Sequence, residues 1–157
     1  MLLLEKYTDL SLPWLNPATR KLEQVKLSDY VSKNNVVLAF FPAAWTGVCT
    51  KEVCSIRDDI KQYEETGATV FGISVDSPWA LDRFTQDQKL NFKLLSDANK
   101  QAIRAYGVVW PDLGGIKEVA TRSVFVIGRN GEIKYKWITE SLGNMPNFDE
   151  IKKALKK

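Results

Sequence analysis

Two periodicities of apolar residues divide this chain into elements. Val36-Val37-Leu38-Ala39-Phe40-Phe41 is an unbroken apolar run and predicts a strand covered on both faces over 35–41. Directly after it, Cys49, Val53, Ile56, Ile60 and Tyr63 recur at spacings of four, three, four and three. That is one face of a helix, predicted over 47–65 and closed by Gly67. A second buried strand is predicted over 69–75, and Ser77-Pro78 is an N-cap and first-position pair for a helix over 78–88. Ser96-Asp97 precedes a short helix over 100–106, ended by Gly107. Two runs, 123–127 and 132–137, flank Gly128-Arg129-Asn130-Gly131, whose Asn-Gly pair marks a hairpin. A last helix is predicted over 147–156. The first thirty residues carry Pro13, Pro17 and a short alternation over 21–25, which reads as irregular chain with a small hairpin. One helical turn follows over 28–31.

The order β-α-β-α-α-β-β-α predicts an α/β protein with a central mixed β-sheet flanked by helices. A strand–helix–strand core followed by a hairpin and a terminal helix is the thioredoxin-like arrangement, and fold alone does not fix function. No repeat, low-complexity tract or linker interrupts the pattern, so the 157 residues read as a single domain, 1–157, long enough to bury a core.

Charge narrows the function classes. The net charge is +3, from 22 basic and 19 acidic residues, and the basic residues are scattered except in the tail Lys152-Lys153-Ala154-Leu155-Lys156-Lys157. No basic stripe with interleaved aromatics suggests nucleic acid as a partner. No apolar segment approaches membrane-spanning length, and Met1-Leu2-Leu3-Leu4-Glu5 is too short for the core of a signal peptide. A cytosolic, cytoplasmic location is the default expectation, and two cysteines there favour metal-binding, catalytic or redox roles over a structural staple. The chain has no histidine. Cys–His nucleophiles, serine triads and mixed Cys/His zinc sites are therefore excluded, and two thiols cannot complete a closed zinc site. Gly114-Gly115 reads as an ordinary loop rather than a dinucleotide fingerprint, so no cofactor is expected.

What remains is thiol chemistry. In Pro42-Ala43-Ala44-Trp45-Thr46-Gly47-Val48-Cys49 the cysteine falls in the first turn of a helix that starts at the end of a buried strand. Unpartnered backbone N–H groups and the positive end of the helix dipole favour an anion there, and the thiolate is the nucleophilic form. Thr46 sits where it caps the helix and keeps a hydroxyl beside the sulfur. The competing reading makes Cys49 a small core hydrophobe, since it lies on the apolar face.

Pro42-x-x-x-Thr46-x-x-Cys49, with Glu52 three residues on and Arg122 downstream at a strand start, resembles the peroxiredoxin active site. The segment from Phe40 to Cys54 is similar to the bacterioferritin-comigratory-protein and alkyl hydroperoxide reductase E branches. So are Leu94-Leu95-Ser96-Asp97, Ala105-Tyr106-Gly107-Val108 and the stretch from Thr121 to Ile127. The resemblance implies that Cys49 attacks a peroxide and becomes a sulfenic acid. It implies that Thr46 hydrogen-bonds the peroxide and that Pro42 walls the sulfur from water. Arg122 would stabilise the thiolate and polarise the peroxide, and Glu52 would hold that guanidinium. Trp45 stands where relatives commonly carry Phe or Asp, which alters the expected pocket wall. The implied partners are hydrogen peroxide or an organic hydroperoxide and a thioredoxin- or glutaredoxin-like reductant, for a monomer or homodimer.

Cys54 has two readings, a resolving cysteine or an inert thiol that leaves reduction of Cys49 to an external thiol. Five helical residues mean a rotation of about 140° and a rise of about 7.5 Å. The two Cα atoms are then roughly 8.7 Å apart, beyond the ~7 Å reach of a disulfide. A bond between Cys49 and Cys54 therefore requires the first turns of the helix to unwind. Two rivals stand beside the peroxidase: a disulfide oxidoreductase, for which the expected spacing would be Cys-x-x-Cys, and a redox-sensing binding module.

Overall fold

The computed structural model describes residues 5–157; the apolar start weighed above as a targeting segment, Met1 to Leu4, lies outside the described residues. The apolar runs form a five-stranded sheet in the order β5-β4-β3-β8-β9. Its strands are β3 (Asn35–Phe40), β4 (Ala68–Ser74), β5 (Lys93–Ser96), β8 (Ser123–Ile127) and β9 (Ile133–Ile138). β3, β4 and β5 run parallel, while β8 lies antiparallel to β3 and β9 antiparallel to β8. Leu38 is the hub of the register, paired with Phe71 on one side and Phe125 on the other. Every residue of β3 is buried, as its unbroken apolar run requires of a central strand covered on both faces.

Side-chain alternation along β3 feeds two cores. Val36, Leu38 and Phe40 point to a cluster with Phe71, Ile73, Phe125 and Ile127. That cluster is covered by α1 (Ser28–Val31), α5 (Gln101–Ala105) and the hairpin of β1 (Ser11–Leu15) with β2 (Leu22–Lys26). Val37 and Ala39 point the other way, toward Ile56, Tyr63, Val70, Val124 and Ile151. These come in part from α2 (Gly47–Asp58), α3 (Ile60–Glu65) and α6 (Phe148–Leu155). A third cluster, Phe41, Cys49, Val53, Leu81, Phe84 and Leu94, packs α2 against α4 (Pro78–Asp87) at the C-terminal end of the parallel strands.

Several expectations need correction. The helix predicted over 47–65 is two helices, broken at Asp59 (φ −107°, ψ 11°). The Asp59 N–H bonds back to Ile56 O at 3.1 Å, which tightens the turn, and its carboxylate accepts from Lys152 Nζ of α6 at 2.7 Å. The apolar face nonetheless continues across the break, with Ile56, Ile60 and Tyr63 in one cluster. Gly114-Gly115 is not a plain loop: it turns a hairpin between β6 (Val109–Leu113) and β7 (Ile116–Ala120), both glycines with positive φ. Strand β5 escaped the sequence reading because four residues give no periodicity to detect. The Ser77 cap, the Gly67 stop and the Gly128–Gly131 turn stand as expected.

Gly72 in β4 is a packing requirement. A Cβ there would lie 2.5 Å from Leu94 Cδ2 and 3.4 Å from Phe41 Cε1. Overpacking of this kind costs about 1–3 kcal/mol. Gly72→Ala should lower unfolding stability in denaturant by that amount, and Leu94→Ala added to it should cost less than Leu94→Ala alone. Additive losses would mean that the two side chains do not compete for this space.

Candidate active site

The central strand ends at Phe40, and residues 42–46 carry the chain from it into α2. That loop is pinned from below: the Ala44 N–H donates to Asp76 Oδ2 at 2.9 Å, and the same oxygen accepts from Ser74 Oγ at 2.7 Å. Trp45 takes a left-handed backbone (φ +65°), a conformation side-chain-bearing residues seldom adopt. Its ring stands on Phe84 of α4 with centroids 5.2 Å apart, and its Nε1 donates to Asp87 Oδ2 at 3.4 Å. The indole therefore braces the loop on α4 and does not line the cavity beside Cys49, contrary to the pocket-wall role considered for it.

Thr46 occupies the N-cap position of α2, with extended backbone (φ −76°, ψ 153°), and its carbonyl accepts the first helical bond from Thr50 N at 2.9 Å. Its hydroxyl does not cap the helix. It donates instead to Ala43 O at 2.8 Å, closing the loop on itself, so the expected side-chain cap is absent. The N–H groups of Gly47, Val48 and Cys49 precede that first helical bond and have no partner within the helix.

Cys49 is buried, 1% exposed, and its sulfur faces one end of a guanidinium. Arg122 is placed between β7 and β8 and is 2% exposed. Nη1 donates to Cys49 Sγ at 3.4 Å and to Glu52 Oε1 at 2.6 Å. Nε and Nη2 both donate to the carbonyl of Leu142, at 3.3 and 3.0 Å. One cation thus joins α2, the β7–β8 junction and the chain beyond β9. A cavity of about 250 Å³ opens over this group, lined by Pro42, Thr46, Gly47, Val48, Cys49, Leu113, Arg122, Leu142 and Gly143. The structure therefore brings together Pro42, Thr46, Cys49 and Arg122 at one cavity, with Glu52 behind the cation.

Two contributors were missed by the sequence reading. Leu142 acts through its backbone carbonyl, which no side-chain pattern reveals. Asp76 acts on the loop from the end of a neighbouring strand, and a lone Asp after a strand carries no distinctive signal. Cys54 lies on the same continuous helix as Cys49, and both thiols are free.

Glu52 is fully buried, and its Oε2 is the one buried side-chain oxygen or nitrogen without a hydrogen-bond partner among the described residues. Burial pushes its carboxyl up to about 7, against the pull of the adjacent Arg122 charge and hydrogen bond. Arg122 is opposed by its own burial but moves upward on balance, because Glu52 and then Cys49 favour its charge. Among the described residues, no group of Cys, Asp and Glu side chains is placed to hold a metal ion, and no helix is long and apolar enough to cross a membrane.

The Glu52 shift has a sign. The unfolded carboxyl releases its proton near 4.5 and the folded one near 7, so the folded state binds more protons between those values. Its contribution to stability is full below about 4.5 and is lost as pH rises toward 7. Glu52→Gln cannot titrate. The stability of wild type relative to Glu52→Gln should fall across that window in denaturant titrations at successive pH values, and a flat difference would place the folded carboxyl near its ordinary range.

Comparisons with known proteins agree with one another. The AhpC/TSA family model matches residues 4–136. A chloroplastic 2-Cys peroxiredoxin of Hordeum vulgare is 33% identical over 138 residues, covering 83% of this chain and 63% of the relative. Peroxiredoxin Bcp of Escherichia coli (strain K12) is 36% identical over 116 residues, covering 72% of this chain and 73% of the relative. Chloroplastic relatives from Spinacia oleracea and Arabidopsis thaliana are covered over 51% and 50% of their length, so the chain spans about half to two thirds of the plant proteins it matches. Among solved structures, peroxidoxin BcpB of Mycobacterium tuberculosis superposes with a TM-score of 0.82 at 31% identity, covering 97% of this chain and 94% of the other. The mitochondrial 2-Cys peroxiredoxin of Plasmodium falciparum gives 0.82 at 25% identity, covering 98% and 92%. The thioredoxin-like fold expected from the order of elements is the fold these structures share with this chain.

Proposed function

We propose, on the premise that the chain belongs to the AhpC/TSA family, that it is a thiol-dependent peroxidase acting through Cys49. The observation that carries this reading is the contact of Arg122 Nη1 with Cys49 Sγ at 3.4 Å at the floor of a small cavity. A thiolate there has a fixed cation beside it and the free N–H groups of a helix start around it. Hydrogen peroxide or an organic hydroperoxide enters between Pro42 and Thr46 on one side and Leu113 and Leu142 on the other. The sulfur attacks one peroxide oxygen, so that an S–O bond forms as the O–O bond breaks. The departing oxygen leaves as water or an alcohol after taking a proton, and Cys49 becomes a sulfenic acid. Arg122 faces both the sulfur and the developing charge on oxygen with donors already in place.

Pro42 and Leu113 give this cavity apolar walls that limit water at the sulfur. Glu52 acts through Arg122 and is a positioning residue. Thr46 holds the loop through Ala43, with its hydroxyl oxygen on the cavity side as an acceptor for the peroxide O–H. Cys54 resolves the sulfenic acid as an intramolecular disulfide, which the helix permits only after its first turns open. A dithiol reductant of the thioredoxin or glutaredoxin type then returns both thiols by exchange through a mixed disulfide. Two free cysteines in the reduced form suit a reducing compartment, the cytosol first among them.

Mass spectrometry after one equivalent of peroxide tests this reading. Wild type should carry the intramolecular disulfide, Cys54→Ser should stop at a sulfenic acid on Cys49, and Cys49→Ser should remain unoxidised. Turnover of Cys49→Ser should fall by roughly 10³-fold or more. Arg122→Lys keeps a charge but loses the fork, and oxidation of Cys49 should slow on the order of 10²-fold. Undiminished thioredoxin-supported turnover in Cys54→Ser would make this a one-cysteine peroxidase, and unreacted Cys49 in the wild type would remove the peroxidase reading.

A further inference from the structure

Resolution needs Cys54 to meet Cys49, yet the structure fastens Cys54 to a different element. The Cys54 thiol donates to Gln88 Oε1 at 3.4 Å. Three residues on, Arg57 Nη1 donates to the backbone carbonyl of the same Gln88 at 2.6 Å. Asn91 Nδ2 donates in return to the carbonyl of Arg57 at 3.2 Å. Gln88 is the C-cap of α4, where the helix leaves carbonyls without internal partners and favours a cation. That explains why the Arg57 guanidinium settles there.

These bonds divide α2 in two. Residues 54–57 are strapped to the α4–β5 connection by Gln88 and Asn91, whereas Cys49 and Val53 pack among Phe41, Leu81 and Phe84 and the Cys49 sulfur faces Arg122. None of the three bonds involves Cys49, Glu52 or Arg122. We propose that the α4–β5 connection is a latch on the Cys54 half of α2, with Gln88 as a positioning residue whose release sets how fast Cys49 and Cys54 join. The proposal rests on Cys54 being the resolving cysteine.

Cys54 gives up its thiol proton and its sulfur attacks the sulfenic sulfur of Cys49. The S–S bond forms as the S–O bond breaks, and hydroxide leaves with that proton as water. Cys54 is oxidised and the sulfenic sulfur reduced to the shared disulfide level, so no further oxidant enters. While the latch holds, the sulfenic acid persists and a second peroxide can carry it to sulfinic acid. The Gln88 contact therefore fixes the peroxide concentration at which the protein is overoxidised.

Two variants test this without touching the Cys49 cavity. Gln88→Leu removes the acceptor at similar volume, and Arg57→Ala removes the 2.6 Å strap while leaving the thiol contact. Rapid quenching and mass spectrometry should show unchanged sulfenic acid formation and disulfide formation faster by about three- to tenfold, the range of one lost hydrogen bond. The sulfinic fraction at excess peroxide should fall in step. In a Cys49→Ser background, Gln88→Leu should speed alkylation of Cys54 by a comparable factor. A lowered thermal midpoint with an unchanged ratio of disulfide to sulfinic product would reduce Gln88 to a structural part and overturn the latch. A wild-type disulfide that forms at the same rate in both variants would overturn the latch alone. A wild type that forms no disulfide would overturn the resolving role of Cys54 and the latch with it.

Discussion

Arg122 is the group around which this protein is organised. Its guanidinium is withdrawn from water yet spends all three nitrogens on partners: the Leu142 carbonyl twice, the Glu52 carboxyl and the Cys49 sulfur. A buried cation is costly unless such partners are fixed in place, and these come from two distant parts of the chain. The β7–β8 junction supplies the arginine, the segment after β9 supplies the carbonyl, and α2 supplies both acidic groups. Closing the fold and assembling the site are therefore one event. Burial holds the proton on the Glu52 carboxyl up to about 7, so its full counter-charge to Arg122 is present only above that range.

The rest of the site follows from where a parallel strand ends. β3 delivers the chain to the C-terminal edge of the sheet, and α2 begins there with its free N–H groups toward the cavity. The intervening loop is too short to hold itself rigid. Asp76 grips Ala44, the Thr46 hydroxyl closes on Ala43, and the Trp45 ring leans on Phe84. The left-handed backbone at Trp45 is the local strain accepted for that geometry.

Much of this was written in the sequence, for identifiable reasons. β3, β4 and β8 were legible because strands buried on both faces must be unbroken apolar runs. The Cys49–Val53–Ile56 stripe and the Ser77-Pro78 start are strong local signals. Cys49, Thr46, Pro42, Arg122 and Glu52 were singled out as candidates by spacing and resemblance, and the structure brings them to one place. The break at Asp59 was not legible, since it depends on Lys152 from the far end of the chain. Nor was the use of the Thr46 hydroxyl, because a threonine before a helix looks the same whether it accepts from the helix or donates to its own loop. The β6–β7 hairpin was hidden by its exposed, weakly alternating strands, and the Leu142 carbonyl by being backbone.

That hairpin has a consequence for how the cavity entrance is built. Leu113, the last residue of β6, forms part of the cavity wall, while its neighbours Gly114 and Gly115 turn outside the main sheet. β6 and β7 pair only with each other. The turn can change length at the cavity rim without altering the strand pairs of Leu38, but its two glycines hold positive φ, where a larger side chain would be strained. Cys49, Arg122 and Glu52 are locked to the core and cannot drift independently. The cavity rim at Leu113 is thereby built on a separate two-stranded ribbon, while the Cys49–Arg122–Glu52 group is fixed in the core.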